Sequence, residues 1–277
     1  TQVECPPTQI EETKPTKRKK SKTVSGKCEH NIFTHFPKSD KCEICRDNKT
    51  HRAYCRSHSA AREGNLPNPK KFGDMLTADH KILGEDDESL QGDKVACVIQ
   101  DKATYWLQSY PAPTKSADET ANAFKRFLGP EIKCKHVYTD NSKEFKKALA
   151  DLQIDNDTST PHRSETNGIA ENAVKRVKEG TSCVLSQSGL ASEWWSWAMA
   201  CYCWHRVTTD ILACANTSYE LRFGKPWGGP KIPFGAAVKY QPSSQKDKAR
   251  LHQMTTKVLD GIFIGYHQMS GGNWNGD

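Results

Sequence analysis

The sequence predicts an α/β layered protein in which three strands in a row give way to alternating helices and strands, in the order βββαβαβα. Three observations carry this. Short runs rich in β-branched and aromatic residues begin at Met75 and are parted by polar turns. After Ser116 the apolar residues recur at helical spacing, interrupted by two brief strand-like runs. Residues 1–26 hold hardly any large apolar side chains, so they cannot offset the entropy of ordering and are expected to be a disordered basic tail.

Taken in order, Met75–His80, Val95–Gln100 and Tyr105–Tyr110 read as strands, separated by the acidic turn Glu85–Glu88 and by Asp101-Lys102. Connections this short suggest an antiparallel meander. Ser116, with Glu119 three residues later, is a capping box, and the helix it starts runs through Phe124 and Phe127 to a stop at Gly129-Pro130. His136–Thr139 then reads as a short strand, Ser142–Leu152 as a helix and Ile154–Thr158 as a weak strand. Ile169 to about Gln187 is a long helix with Ile169, Val174, Val177 and Val184 on one side. Ser192 caps a further helix, whose Trp194, Trp195, Trp197, Met199, Tyr202 and Trp204 read as core or interface and not as a cofactor box. Past Pro226 the chain turns loop-rich, with a strand pair around Ala236–Tyr240 and Ile262–Tyr266. The organisation is therefore a tail at 1–26, a Cys/His segment at 27–58, a linker at 59–73, a main domain at 74–210 and a β-rich C-terminal extension at 211–277.

The chain has 277 residues, enough for one sizeable core plus smaller modules. No apolar run approaches the roughly 18 residues that a bilayer span requires, so a membrane protein is not expected. The chain opens at Thr1 without the basic, apolar, small-residue series of a secretory signal, and so reads as a fragment that is not secreted. Eleven scattered cysteines, an odd number, argue for reduced thiols and metal over a disulfide framework, and hence for cytosol or nucleus. The net charge of +7 is concentrated in residues 1–71, which alone carry +8. This points to a polyanionic partner, with nucleic acid foremost. The run Lys17-Arg18-Lys19-Lys20, with Lys14 and Lys22, suits a nuclear-import signal or a phosphate-binding arm as well as a solvated tail.

His30 and His35, followed by Cys42 and Cys45, give an HxxxxH and a CxxC six residues apart. Two imidazoles and two thiolates make a closed tetrahedral shell that suits structural Zn²⁺, and an apolar-poor segment needs such a staple to fold. Cys28, His51, Cys55 and His58 are alternative ligands or a second site. Among the carboxylates, Asp79 sits in a strand, Asp140 ends one, and Glu171 opens the long helix. Each alone is ordinary, and Glu171 also satisfies the helix dipole. Together, three hard oxygen donors from two strands and a helix start suit two Mg²⁺ (or Mn²⁺) ions, an arrangement that clamps both oxygens of an in-line phosphoryl displacement. Lys175 and Lys178 share the helix face of Glu171, where DNA phosphates would lie.

These residues resemble the integrases of retroviruses and long-terminal-repeat retrotransposons, within them the copia-like group. Tyr138-Thr-Asp140-Asn141-Ser-Lys-Glu144-Phe145 is similar to the family's TDNGxEF, and Thr160-Pro161 through Asn167-Gly168-Ile-Ala-Glu171-Asn172 to its TPxxxxxNGxAE segment. Tyr219-Glu-Leu-Arg-Phe-Gly224 and Gly261-Ile-Phe-Ile-Gly-Tyr266 resemble the copia stretch downstream of the core. The resemblance implies a ribonuclease H-like mixed sheet with Asp79, Asp140 and Glu171 as its catalytic carboxylates, and DNA 3′-end processing and strand transfer as the activity. It also implies Asn167, Lys175 and Lys178 against DNA, a homo-oligomer on double-stranded element ends and target, a compact zinc knuckle, work in the nucleus, and release from a polyprotein. Two departures stand out: Ser142 replaces the family's Gly, and only 30 residues separate Asp140 from Glu171, fewer than the family commonly has. Readings from other classes are an inactive zinc-stabilised nucleic-acid-binding remnant and a ribonuclease H-type nuclease.

Overall fold

Runs such as Val95-Ala-Cys-Val-Ile99 are apolar without alternation, which suits a strand covered on both faces. In the computed structural model, which describes residues 30–49, 68–158, 168–251, 254, 256–274 and 276, that strand is buried at every position. The tail at 1–26 and most of the linker expected at 59–73 lie outside the described residues. After a short helix α1 (Glu43–Asn48), strands β1 (Leu76–Ile82), β2 (Val95–Asp101) and β3 (Leu107–Ala112) form the antiparallel meander. Helix α2 (Ala117–Leu128) leads to β4 (Val137–Thr139), α3 (Lys143–Asp151) to β5 (Asn156–Thr158), and α4 (Gly168–Ser188) follows. Strands β4 and β5 add in parallel beyond β1, giving the order β3-β2-β1-β4-β5. This mixed α/β sheet has the βββαβαβα order that the sequence predicts.

Local chemistry sets the boundaries. The Ser116 hydroxyl accepts from the Glu119 amide at 3.1 Å, starting α2, and Gly129 ends it at φ +78°. Strand β3 starts at Leu107, two residues later than expected, because Tyr105 is exposed and adopts φ +58° in the turn. Ser192 caps no helix. It opens a 3-10 turn (Ser192–Trp194), and α5 (Trp195–Thr209) begins after it. The tryptophan-rich helix is core as expected, with Trp195, Met199, Tyr202 and Trp204 buried.

Of the expected stripe on α4, Val177 and Val184 are buried, Val174 is half-buried and Ile169 is half exposed; the helix also buries the small residues Ala170, Ala173, Gly180 and Thr181. Small residues let α5 approach closely: a Cβ on Gly180 would lie 2.1 Å from the Tyr202 ring. Trp106 and Trp204 meet edge to face at 6.1 Å and join the sheet to α5.

Helix α6 (Ser218–Phe223) is held by the reciprocal box of Thr217 and Glu220 and ends at Gly224, φ +70°. Its Arg222 lies over Phe72 at 3.6 Å and Trp106 at 4.5 Å and donates to the Gly271 carbonyl at 2.5 Å. The expected C-terminal strand pair is shifted. Strand β6 (Ala237–Tyr240) pairs with β7 (Leu259–Ile262), on either side of helix α7 (Gln245–Lys248), and Phe263 and Tyr266 pack on the core instead of extending the strand. The described cysteines are all free thiols, as expected. Among the described residues no helix is long and apolar enough to cross a membrane.

Candidate active site and metal centre

The parallel pairing of β1 with β4 ends at Ala78 and Thr139, so Asp79 and Asp140 follow as the next residue on each strand. Adjacent strands lie about 4.8 Å apart, which makes these two acids neighbours. The Asp79 carboxylate accepts from the His80 amide at 2.8 Å, and that of Asp140 from the Ser142 amide at 3.3 Å. Ser142 stands at φ −73°, a conformation open to any residue, so the family's glycine is not required there. Glu171 lies exposed in the first turn of α4, the helix that packs across β1 and β2.

The charges of Asp140 and Glu171 both bear on the Asp79 carboxyl. Burial, followed by the charges of Asp140 and Glu171, raises the Asp79 carboxyl to about 6, against the pull of the His80 amide and Lys115. The next residue serves the opposite face of the strand: the His80 ring packs on Phe145 at 4.2 Å and its Nε2 lies 3.1 Å from the Thr120 hydroxyl. Burial and then Lys115 hold that imidazole down to about 4, so it is neutral at physiological pH. Lys115 also lies 3.9 Å from the Glu144 carboxylate. A carboxyl held back from ionising by burial and by two further acids fits the neighbourhood of a hard divalent cation, which would relieve the repulsion.

The second centre is tighter. His30, His35, Cys42 and Cys45 each offer one ligand atom, all within 4.8 Å of one another, and among the described residues no carboxylate group gathers as closely. The His35 Nδ1 lies 3.6 and 3.7 Å from the thiols of Cys42 and Cys45. His30 Nδ1 donates to the Pro37 carbonyl at 2.8 Å, leaving a buried Nε2 with no partner. That orphaned nitrogen beside two thiols suits Zn²⁺ in a closed four-donor shell. Helix α1 carries Cys45, and the buried Lys49 at its end donates to the His35 carbonyl at 2.9 Å. This segment is docked on α4 and α5: Asn31 and Thr34 donate to the buried Asp210 carboxylate at 2.9 and 2.6 Å.

No family model matches the chain. It is 27% identical over 177 residues to the retrovirus-related Pol polyprotein from transposon RE2 of Arabidopsis thaliana, covering 61% of this chain. It is 24% identical over 245 residues, 81% of this chain, to that from transposon TNT 1-94 of Nicotiana tabacum. The chain is a homologue of retrovirus-related transposon Pol polyproteins. It spans only 12% and 17% of the length of these two relatives. Among solved structures it is similar to the catalytic core domain of BIV integrase, at 14% identity and a TM-score of 0.42, over 55% of this chain and 95% of that one.

Of the residues singled out in the sequence, the structure brings together the four His/Cys donors; Asp79 and Asp140 leave neighbouring strands side by side, and Glu171 lies in the first turn of the helix packed across β1. Lys175 and Lys178 are exposed on α4 as expected. Asn167, and the alternative ligands Cys28, His51, Cys55 and His58, lie outside the described residues. Lys115 and His80 escaped sequence reading. The one signal for Lys115 was its place directly before the Ser116 cap.

Proposed function

We propose that the chain is the integrase portion of a retrotransposon Pol polyprotein, processing DNA 3′ ends and joining them to target DNA. The observation that carries this reading is the register of β1 against β4, which sets Asp79 and Asp140 side by side, with Glu171 in the first turn of the helix packed across β1. The homologous polyproteins support the same reading.

In this reading Asp79, Asp140 and Glu171 hold two Mg²⁺ or Mn²⁺ ions. Such ions, when bound, activate the attacking oxygen and stabilise the leaving one. The chain's own part is to fix the three carboxylates on rigid elements: Asp79 by its strand pairing, Asp140 by its bond to the Ser142 amide, and Glu171 by the packing of α4. Neutral His80, wedged between Thr120 and Phe145, keeps β1 in place without adding a competing cation. Exposed Lys175 and Lys178, one and two turns beyond Glu171, contact phosphates of the DNA, with Asn167 nearby in sequence. His30, His35, Cys42 and Cys45 hold a structural zinc. The working species is a homo-oligomer assembled on double-stranded DNA.

The test is joining of a recessed-end duplex to a supercoiled plasmid by the purified chain. Products in Mg²⁺ or Mn²⁺ and none in chelator are expected. A chain that retards DNA in a gel but neither nicks nor joins it, in several divalent metals, is instead an inactive binding remnant. One that cuts only RNA in hybrids is a ribonuclease.

A further inference from the structure

We infer that Gln187, on the last turn of α4, is a positioning residue for the zinc centre, so that the helix opening with Glu171 supplies the outer shell of the metal site at its far end. The inference rests on the zinc reading above and deepens it.

A neutral imidazole has one N–H and one lone pair, so whatever binds the first aims the second. The Gln187 side-chain oxygen lies 3.0 Å from His35 Nε2, in sequence 152 residues away. Taking the proton there leaves the lone pair on Nδ1, the nitrogen facing both thiols. His30 is arranged in mirror fashion: its Nδ1 proton goes to the Pro37 carbonyl, and the orphaned Nε2 is the one left to ligate. Each ring therefore has one nitrogen on an oxygen and the other in the cluster. The two oxygens differ in origin, since Pro37 belongs to the His/Cys segment itself and Gln187 to the catalytic helix.

The contact does not stand alone. Ser186 donates to the Asn48 side chain at 3.2 Å, beside Gln187, and Phe33 packs on the His205 ring at 5.1 Å. Asn31 also donates to the Thr209 hydroxyl at 2.7 Å. The ligand segment is thus tied at several points to the ends of α4 and α5. Metal affinity then depends on the core, and metal occupancy protects the last turns of α4.

The test uses the full chain with Gln187→Leu and Gln187→Glu. Gln187 is exposed, so neither change disturbs the core. Zinc affinity is read by competition with a chromophoric chelator, ligand geometry by the visible spectrum of the Co²⁺-loaded protein, and helix protection by hydrogen exchange with and without zinc. Gln187→Leu is expected to weaken zinc by roughly 10- to 100-fold, to alter the cobalt bands, and to lose the zinc-dependent slowing of exchange at the end of α4. Gln187→Glu, which still accepts the proton, is expected to restore affinity and spectrum. A leucine variant that matches wild type in affinity and spectrum overturns the inference, as does a glutamate variant as weak as leucine. A wild-type chain that takes up no zinc defeats the zinc reading itself, and is recognised before any variant is made.

Discussion

Asp79 and Asp140 emerge side by side, each one residue beyond the Ala78–Thr139 pair of two parallel strands. Burial and the neighbouring charges make ionised Asp79 expensive, and the cost has a pH signature. Its carboxyl titrates near 6 in the folded chain against an ordinary 3.8, so between these values the native state holds more protons than the unfolded one. Metal-free stability therefore falls as pH rises through this window. In chelator, Asp79→Asn is expected to be more stable than wild type at neutral pH, by on the order of 1 kcal/mol once solvent screening is allowed for. The gain should vanish below pH about 4. Urea denaturation across pH checks this, and equal stabilities at neutral pH would refute it.

His80 acts in the opposite sense. Its folded value near 4 lies below the ordinary 6.5, so the unfolded chain takes up the proton first, and stability is lost as pH falls through that range. His80→Asn should flatten this acid limb while lowering stability at neutral pH through the lost packing on Phe145. The same denaturation series, compared with Asp79→Asn, separates the two opposed slopes.

Gly180 and Tyr202 set the distance between α4 and α5. A methyl group at 180 would collide with the Tyr202 ring at 2.1 Å. Gly180→Ala is therefore expected to cost about 1–3 kcal/mol despite the better helix propensity of alanine. Pairing it with Tyr202→Leu should recover part of the loss. Thermal unfolding of the single and double variants measures both.

Arg222 fastens the C-terminal segment to the core through Phe72, Trp106 and the Gly271 carbonyl. Replacement by lysine keeps the charge but not the planar stacking surface. Arg222→Lys should cost roughly 1–3 kcal/mol and hasten proteolytic trimming near Gly271, followed by mass spectrometry. An unchanged trimming pattern would place the anchor elsewhere.

Features of the fold written in local signals were legible. The Ser116–Glu119 cap, the Gly129 stop and the apolar run of β2 all depend on neighbours in sequence. The His/Cys donors were legible because their spacing is short, whereas Asp79, Asp140 and Glu171 stand out only as a set, Glu171 alone being accounted for by the helix dipole. The buried stripe of α4 was legible only in part: Val177 and Val184 lie in it, but hydrophobic size points wrongly to Ile169 and not to Ala170, Ala173 and Gly180, which are buried for being small. The second C-terminal strand was placed too late, because Phe263 and Tyr266 look like strand residues but serve the aromatic cluster around Trp204 and Trp227. The box of Thr217 and Glu220 is a local signal of the same kind. Contacts such as His35 with Gln187, or Lys115 with Glu144, join residues far apart in the chain, and no local pattern encodes them.

The most direct measurement is strand joining by Glu171→Gln. This residue is exposed at the start of α4, so the change leaves the fold intact and removes one negative oxygen donor. The account expects wild type to join a recessed DNA end in Mg²⁺ or Mn²⁺, and the variant to bind the same DNA with no joined product. Joining by the variant at the wild-type rate, with its fold confirmed by circular dichroism, would contradict it.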